Sequence, residues 1–336
     1  MILRLLRFCR ILPAMTLTEP ALSRQVVAAA LAGRTPPRLL LGELVLELDL
    51  VRAALGLAAD AAVPLAAEQA LLRRWGHDAV VVPFSHGWGA PTQPEPEDAL
   101  FRLGYWQEES DLFVCALVDG PFSAAVKAWG WQNALIHLTR DHPDLEAFMA
   151  DAVVELSEQL GRVAAAGADG VIIGEDLALR NGPTVRPDHL RQRYFPYLTL
   201  LTLAAQDLGL PVIFHSDGNL WPIWQDLLQC GIDGVQGLDP YSAMSLAQAR
   251  ARSGPRLCLW GNLDLGWLAQ PRSGEEIAAR LHDLIDPVAG APLIFGFCGG
   301  LAPGLSLPQL DLLYATAAAF PWPAPADRVL APSAGF

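Results

Sequence analysis

Residues 211–240 read PVIFHSDGNLWPIWQDLLQCGIDGVQGLDP, and the fold turns on how they are read. The run 211–214 is short and continuously apolar, as expected of a strand buried on both faces, and 234–238 is a second such run. Between them, 220–230 has the length and pattern of a helix. Two buried strands joined by a helix make a parallel βαβ unit. The first strand runs directly into His215, Ser216, Asp217 and Gly218. An imidazole and a carboxylate therefore stand two residues apart just beyond a buried strand. Taken alone, that spacing describes a strand surfacing into a polar turn as readily as it describes a reactive site.

The same rhythm extends both ways. Towards the C-terminus, a helix over 245–253 precedes a strand at 257–260, a helix over 274–285 precedes a strand at 293–297, and a helix over 307–320 closes the series. Towards the N-terminus, a helix over 187–208 follows a strand at 170–174, itself preceded by a long helical pattern over 145–166. Earlier strands are expected at 111–118, at 79–83 after a helical stretch near 66–75, and at 38–46. Thr18 and Pro20 start a helix that stops at Gly33. Eight strand–helix units in about 300 residues predict a single (β/α)8 TIM barrel over 15–320. No Gly-rich dinucleotide fingerprint follows the first strand. Residues 1–14, MILRLLRFCRILPA, read as an N-terminal extension, and the proline-rich stretch 321–336 as a loose tail.

The composition narrows the partners. A formal net charge of −13 over 336 residues argues against nucleic acid and anionic membrane surfaces, which select basic proteins, and leaves a small-molecule substrate. No apolar run reaches the length of a membrane span. Five scattered cysteines form no disulfide framework, so a cytoplasmic location is expected.

In such a barrel the loops beyond the strand ends build the active site. The polar residues there are Glu43 and Glu47, His86, Asp119, the pair Glu175 and Asp176, His215 with Asp217, Asp239, Asp264, and Cys298. Cys298 is followed by glycines at a strand end, whereas Cys115, Cys230 and Cys258 read as small buried hydrophobes. His215, Cys298, Asp217 and Glu175 are all normal ligand types for zinc, and imidazole with thiolate favours zinc over magnesium or calcium. Glu175, Asp176 and Asp217 are candidates for acid–base work. His86, Asn181, Asn219 and Asp239 are candidates for substrate contact.

These strand-end motifs resemble the uroporphyrinogen decarboxylase superfamily, in particular its methyltransferase branch, which includes the zinc-dependent methylcobamide:coenzyme M methyltransferases. The resemblance runs from about Met15 to Phe320. Its most specific part is 211–240, which is similar to the family's strand–His-x-Cys-Gly-Asn–helix–Gly-x-Asp segment. IIGEDLALRNGPTVRPDHLRQRYFPYL (172–198) resembles the family's Gly-(Asp/Glu)-Asp segment and its following helix. GNLD (261–264), SGEEIAARLHDLI (273–285) and FGFCGGLAPGLSLPQLDLL (295–313) resemble the C-terminal strands and helices.

The resemblance implies a TIM barrel, and it implies that His215 and Cys298 match zinc ligands. Where the coenzyme M methyltransferases carry a cysteine two residues after the histidine, this chain carries Asp217; Glu175 is a further possible ligand. The implied reaction is methyl transfer between a thiol, or another soft acceptor, and a corrinoid carried by a partner protein. A second implied activity is decarboxylation of uroporphyrinogen. The family binds that octacarboxylate with an Arg-Gln-Ala-Gly-Arg segment after the first strand. Here the stretch is GELVLELDLVRAALG (42–56), acidic at Glu43 and Glu47, with Arg52 as its one arginine. A third reading is a non-catalytic barrel that binds corrinoid or tetrapyrrole.

Overall fold

A computed structural model describes residues 22–322, apart from 88, 89, 91, 141, 302 and 303. The expected extension 1–14, the helix start at Thr18 and nearly all of the tail 321–336 lie outside the described residues.

Eight parallel strands form a nearly closed barrel: β1 Leu40–Leu41, β2 Ala79–Pro83, β3 Phe113–Asp119, β4 Gly170–Gly174, β5 Val212–Ser216, β6 Gly234–Gly237, β7 Cys258–Trp260 and β8 Leu293–Phe295. Their order is β1-β8-β7-β6-β5-β4-β3-β2, and helices cover the outside. This is the predicted (β/α)8 barrel.

The ring meets itself between β1 and β2 through one residue. The Asp78 N–H donates to the Leu41 carbonyl at 2.7 Å, and the Asp78 carboxylate accepts from the Leu41 N–H at 3.0 Å. Ser23 Oγ donates to the same carboxylate at 2.6 Å and Arg38 Nη1 at 2.7 Å. A fully buried carboxylate costs several kcal/mol unless its lone pairs are filled, and these donors fill them.

Two apolar clusters build the core. The inner one joins lumen-facing residues such as Leu40, Phe113, Ile172, Ile213, Trp260 and Ile294 to Val26, Val27, Ala30 and Leu31. Those last four belong to the helix Ser23–Leu31. That helix crosses the N-terminal ends of the strands, where Arg24 pairs with Asp169 at 2.9 Å and its N–H donates to Asp111. The lower end of the barrel is therefore plugged, and the upper end is left for chemistry. Cys115 and Cys258 lie in this inner cluster, and Cys230 lies in the outer cluster between strands and helices. All three are buried hydrophobes, as expected.

Three elements differ from expectation. The helix expected over 220–230 is a 3-10 turn, Trp221–Ile223, followed by a short α-helix, Trp224–Gln229. The strand expected over 38–46 pairs only at Leu40–Leu41. Gly42 packs its backbone against the Trp260 indole, leaving no room for a Cβ, and the chain beyond it leans to the β8 side, bridging Leu46 to Leu301. The helix expected over 187–208 is two helices, Pro187–Arg193 and Phe195–Asp207. They break at Tyr194, which has φ −128° and ψ −57°, because Pro196 has no N–H to continue the ladder. Among the described residues, no helix is long and apolar enough to cross a membrane.

Candidate active site at the barrel mouth

Side chains alternate along a strand. Ile213 belongs to the inner cluster, so His215, two residues on, faces the same lumen near its upper end. In register beside it on β6 stands Gln236, which is fully buried. The Gln236 amide Nε2 donates to the carbonyls of Phe297 (3.4 Å) and Cys298 (3.2 Å). Its Oε1 therefore faces the ring and accepts from His215 Nδ1 at 2.5 Å. A carbonyl-type oxygen can only accept, so Nδ1 carries a proton, and in the neutral ring the lone pair is on Nε2. Gln236 thus fixes the tautomer of His215 and ties that strand to the backbone of Cys298.

Asp176 faces the free nitrogen. Its Oδ1 lies 3.7 Å from His215 Nε2 and accepts from the Asp217 N–H at 3.1 Å. Asp176 has φ +44°, a left-handed conformation that costs of order 1 kcal/mol and is concentrated at functional sites. Asp217 is on the rim. The surrounding wall pushes its carboxyl upward, His215 draws it down, and Asp176 and Asp239 add to the upward push. Cys298 is half-buried. Burial first, and then the negative charges of Asp239 and Asp217, push its thiol up to about 12.

The other expected residues divide. His86 accompanies the group: its Nδ1 donates to the Thr92 carbonyl at 3.0 Å. Asp239 is a capping residue, accepting from the Tyr241 N–H at 2.9 Å and Ser242 Oγ at 2.6 Å. Asn219 accepts from the Trp221 N–H at 3.0 Å and starts the following turn. Asn181 is exposed at the tip of a hairpin between Ala178–Leu179 and Gly182–Pro183. That hairpin lies over the loop after β5, where the Asn219 N–H donates to Leu179. Glu175 is turned into the wall rather than into the mouth. It is 1% exposed and accepts from the Ser123 N–H (2.8 Å), the Phe122 N–H (3.3 Å) and Tyr194 Oη (3.0 Å). Desolvation outweighs these bonds and pushes its carboxyl up to about 8.

Two residues of the mouth escaped the sequence reading. Gln236 carried a signal: an amide inside a buried strand must find partners. Lys127 carried another, since it is the single lysine in the chain. Its Nζ lies 2.5 Å from Asp119 Oδ2 and donates to Ser85 Oγ at 2.7 Å. Ser85 in turn donates to Asp119 at 2.7 Å and accepts from the Gly87 N–H at 2.9 Å. This knot pins the loop after β2 at the edge of a cavity of about 140 Å³ whose wall includes His86, Asp176 and His215.

Among the described residues, no three His, Cys, Asp or Glu side chains stand together as a group that could hold a metal ion. The mouth does combine, in one place, an imidazole with a committed tautomer, a half-buried thiol and a strained carboxylate.

The family model described as uroporphyrinogen decarboxylase (URO-D) matches residues 106–320, more than half of the chain. The chain belongs to the uroporphyrinogen decarboxylase family. The matched region holds β3 to β8, and with them His215, Gln236 and Cys298. A search of the curated proteins finds no match. Among solved structures, a methyltransferase from Methanosarcina mazei superposes with a TM-score of 0.69 at 18% identity, covering 88% of this chain and 98% of that one. At that identity the likeness establishes the shared barrel. The 3-keto-D-glucoside 4-epimerase from E. coli superposes with a TM-score of 0.49 at 14% identity, covering 77% of this chain and 96% of that one.

Proposed function

We propose that this member of the uroporphyrinogen decarboxylase family is a methyltransferase, moving a methyl group between a corrinoid held by a partner protein and a thiol or other soft acceptor. We further propose that a zinc ion takes part, for which His215, Cys298 and Asp217 would be the ligands on drawing together, since among the described residues their side chains do not stand as a ready-made metal group. The observation that carries the reading is the Gln236 bridge. It fixes the His215 proton on Nδ1, as second-sphere partners of metal-bound histidines do, and binds the backbone of Cys298 with the same amide. The barrel shared with the M. mazei methyltransferase and the donor types support it. Zinc bound there would lower the pKa of a coordinated substrate thiol.

The chain's own residues supply the rest. Gln236 holds the His215 ring in place, and Asp176 sets a carboxylate 3.7 Å from Nε2, beside the position that a metal on Nε2 would take. The plugged barrel floor keeps water from entering through the lower end of the barrel.

Decarboxylation of uroporphyrinogen is less well supported, because an octacarboxylate needs unpaired cations. The arginines beside the opening already have partners: Arg52 pairs with Asp49 at 2.7 Å and Arg102 with Glu68 at 2.8 Å.

Metal analysis of the purified protein tests the zinc. About one zinc per chain is expected, falling at least about tenfold in Cys298→Ala and in Gln236→Leu. Zinc below about a tenth of stoichiometric, unchanged by either substitution, removes the metal. Methyl transfer from methylcobalamin to a panel of thiols tests the reaction itself.

A further inference from the structure

The cavity above His215 continues sideways. At Val45, His86 and Leu117 it meets a second cavity of about 630 Å³. That second cavity follows β2 from Pro83 down to His77. It exists because β1 is only two residues long. Beyond Leu41 the chain turns to the β8 side, where the Leu301 N–H donates to Val45 and the Glu47 N–H donates to Leu301. Beyond Asp78, β2 is paired only with β3, and the wall stands open between β1 and β2.

We propose that this opening is a binding site for an elongated small molecule with an apolar body and no negative charge, uncharged or cationic, whose far end reaches the His215 mouth. As a substrate site it rests on the methyl-transfer reading above, with this ligand as the methyl acceptor or donor.

Three observations carry it. The volume lies within the range of small-molecule pockets. The charges are one-sided. Arg52 is held by Asp49 and by the Ala61 carbonyl, and Arg102 is held through two nitrogens by Glu68. No ion pair is made by Glu47 or Asp98 among the described residues, and both line the same cavity. A carboxylate ligand would therefore meet acids and no unpaired cation, whereas an ammonium group would find two carboxylates. At the inner end lies His77, 3% exposed, whose Nδ1 and Nε2 have no hydrogen-bond partner among the described residues. Desolvation lowers its pKa to about 3, so it stays neutral and adds no cation to the cavity. Both nitrogens are covered by the protein and the ring packs edge-on against Tyr314 at 4.8 Å, so His77 closes the inner end as a neutral wall suited to an apolar body.

Calorimetric titration of the purified full chain with three molecules of one skeleton tests this: 4-phenylbutylamine, 4-phenylbutanol and 4-phenylbutyrate. The amine and the alcohol are expected to bind, and the carboxylate at least about tenfold more weakly. Val81→Trp, which fills the opening, is expected to reduce binding of the amine at least about tenfold. Should that variant fail to fold, the exposed double change Glu47→Arg with Asp98→Arg is expected to reverse the order, favouring the carboxylate. Equal or tighter binding of 4-phenylbutyrate by the unaltered chain overturns the proposal. So does absence of binding by all three at millimolar concentration, or an order that the double change leaves intact. None of these readouts involves a metal or a methyl group. A chain without zinc leaves the site standing, and a failed titration leaves the zinc reading standing.

Discussion

Glu43 and Glu175 stand just beyond β1 and β4, and the structure treats them almost alike. Each is buried, at 4% and 1% exposure. Each accepts from a tyrosine on the helix layer, Tyr314 at 2.6 Å and Tyr194 at 3.0 Å. Each accepts from backbone N–H groups of a neighbouring segment, Phe297 for Glu43 and Phe122 with Ser123 for Glu175. Each lies against a glycine whose Cβ would press on its carboxyl, Gly296 and Gly120. Desolvation pushes both up to about 8.

They differ in what they join. Glu43 links β1 to the chain after β8 and to the last helix, doing the work of the strand pairing that β1 lacks. Glu175 links β4 to the first turn of the helix Pro121–Trp129, and so fixes the backbone that enters the left-handed turn at Asp176. One brace holds the end of β1 to the β8 side of the ring, and the other sets up the mouth. A carboxylate at a strand end is thus not a mouth residue by position alone.

Removing either carboxylate should have the largest effect. Glu43→Ala and Glu175→Ala each strand a buried tyrosine hydroxyl and backbone N–H groups, and should cost about 3 kcal/mol in urea unfolding. The glutamine variants should cost about 1 kcal/mol and leave the zinc content of the purified protein as it is in the unaltered chain. If Glu175→Gln loses zinc while Glu43→Gln keeps it, Glu175 is a ligand and the comparison breaks.

The pH dependence comes next. A carboxyl raised from 4.5 to about 8 in the folded chain binds its proton more tightly folded than unfolded. Its contribution is complete below pH 4.5 and is lost as pH rises through about 8. The melting temperature should fall by about a few degrees between pH 5 and 8, and Glu43→Gln should flatten that fall. An unchanged slope in the variant would show that Glu43 ionises normally. The smallest effect is expected from the hydroxyls. Tyr314→Phe and Tyr194→Phe should each cost about 1 kcal/mol, and costs that differ by more than about 1 kcal/mol would show that the braces are not equivalent.

The barrel was legible in the chain because its strands are buried on both faces and read as unbroken apolar runs. The run at 38–46 misled for the same reason. It is apolar enough for a strand, but its course past Gly42 is set by Trp260, more than two hundred residues away in sequence. The break at Tyr194 could have been read from Pro196. At the mouth, His215, Asp217 and Cys298 were visible as strand-end residues of the right chemical types. The inward turn of Glu175 was not visible, since it depends on the direction of one side chain and on where Tyr194 stands. Gln236 owes its role to its register with His215, which only the closed sheet supplies.

Lys127 gives the molecule a chemical address. A chain with one lysine and many arginines offers amine-directed reagents a single side-chain target, and that target sits at the active-site rim. A tag placed there would sense the loop after β2 directly, because the amine must first leave Ser85 and Asp119 to react. The same residue gives a lysine-specific protease one peptide bond to cut, in the helix that Glu175 anchors. Cleavage at that bond would report, without any substrate, how often this side of the mouth comes apart.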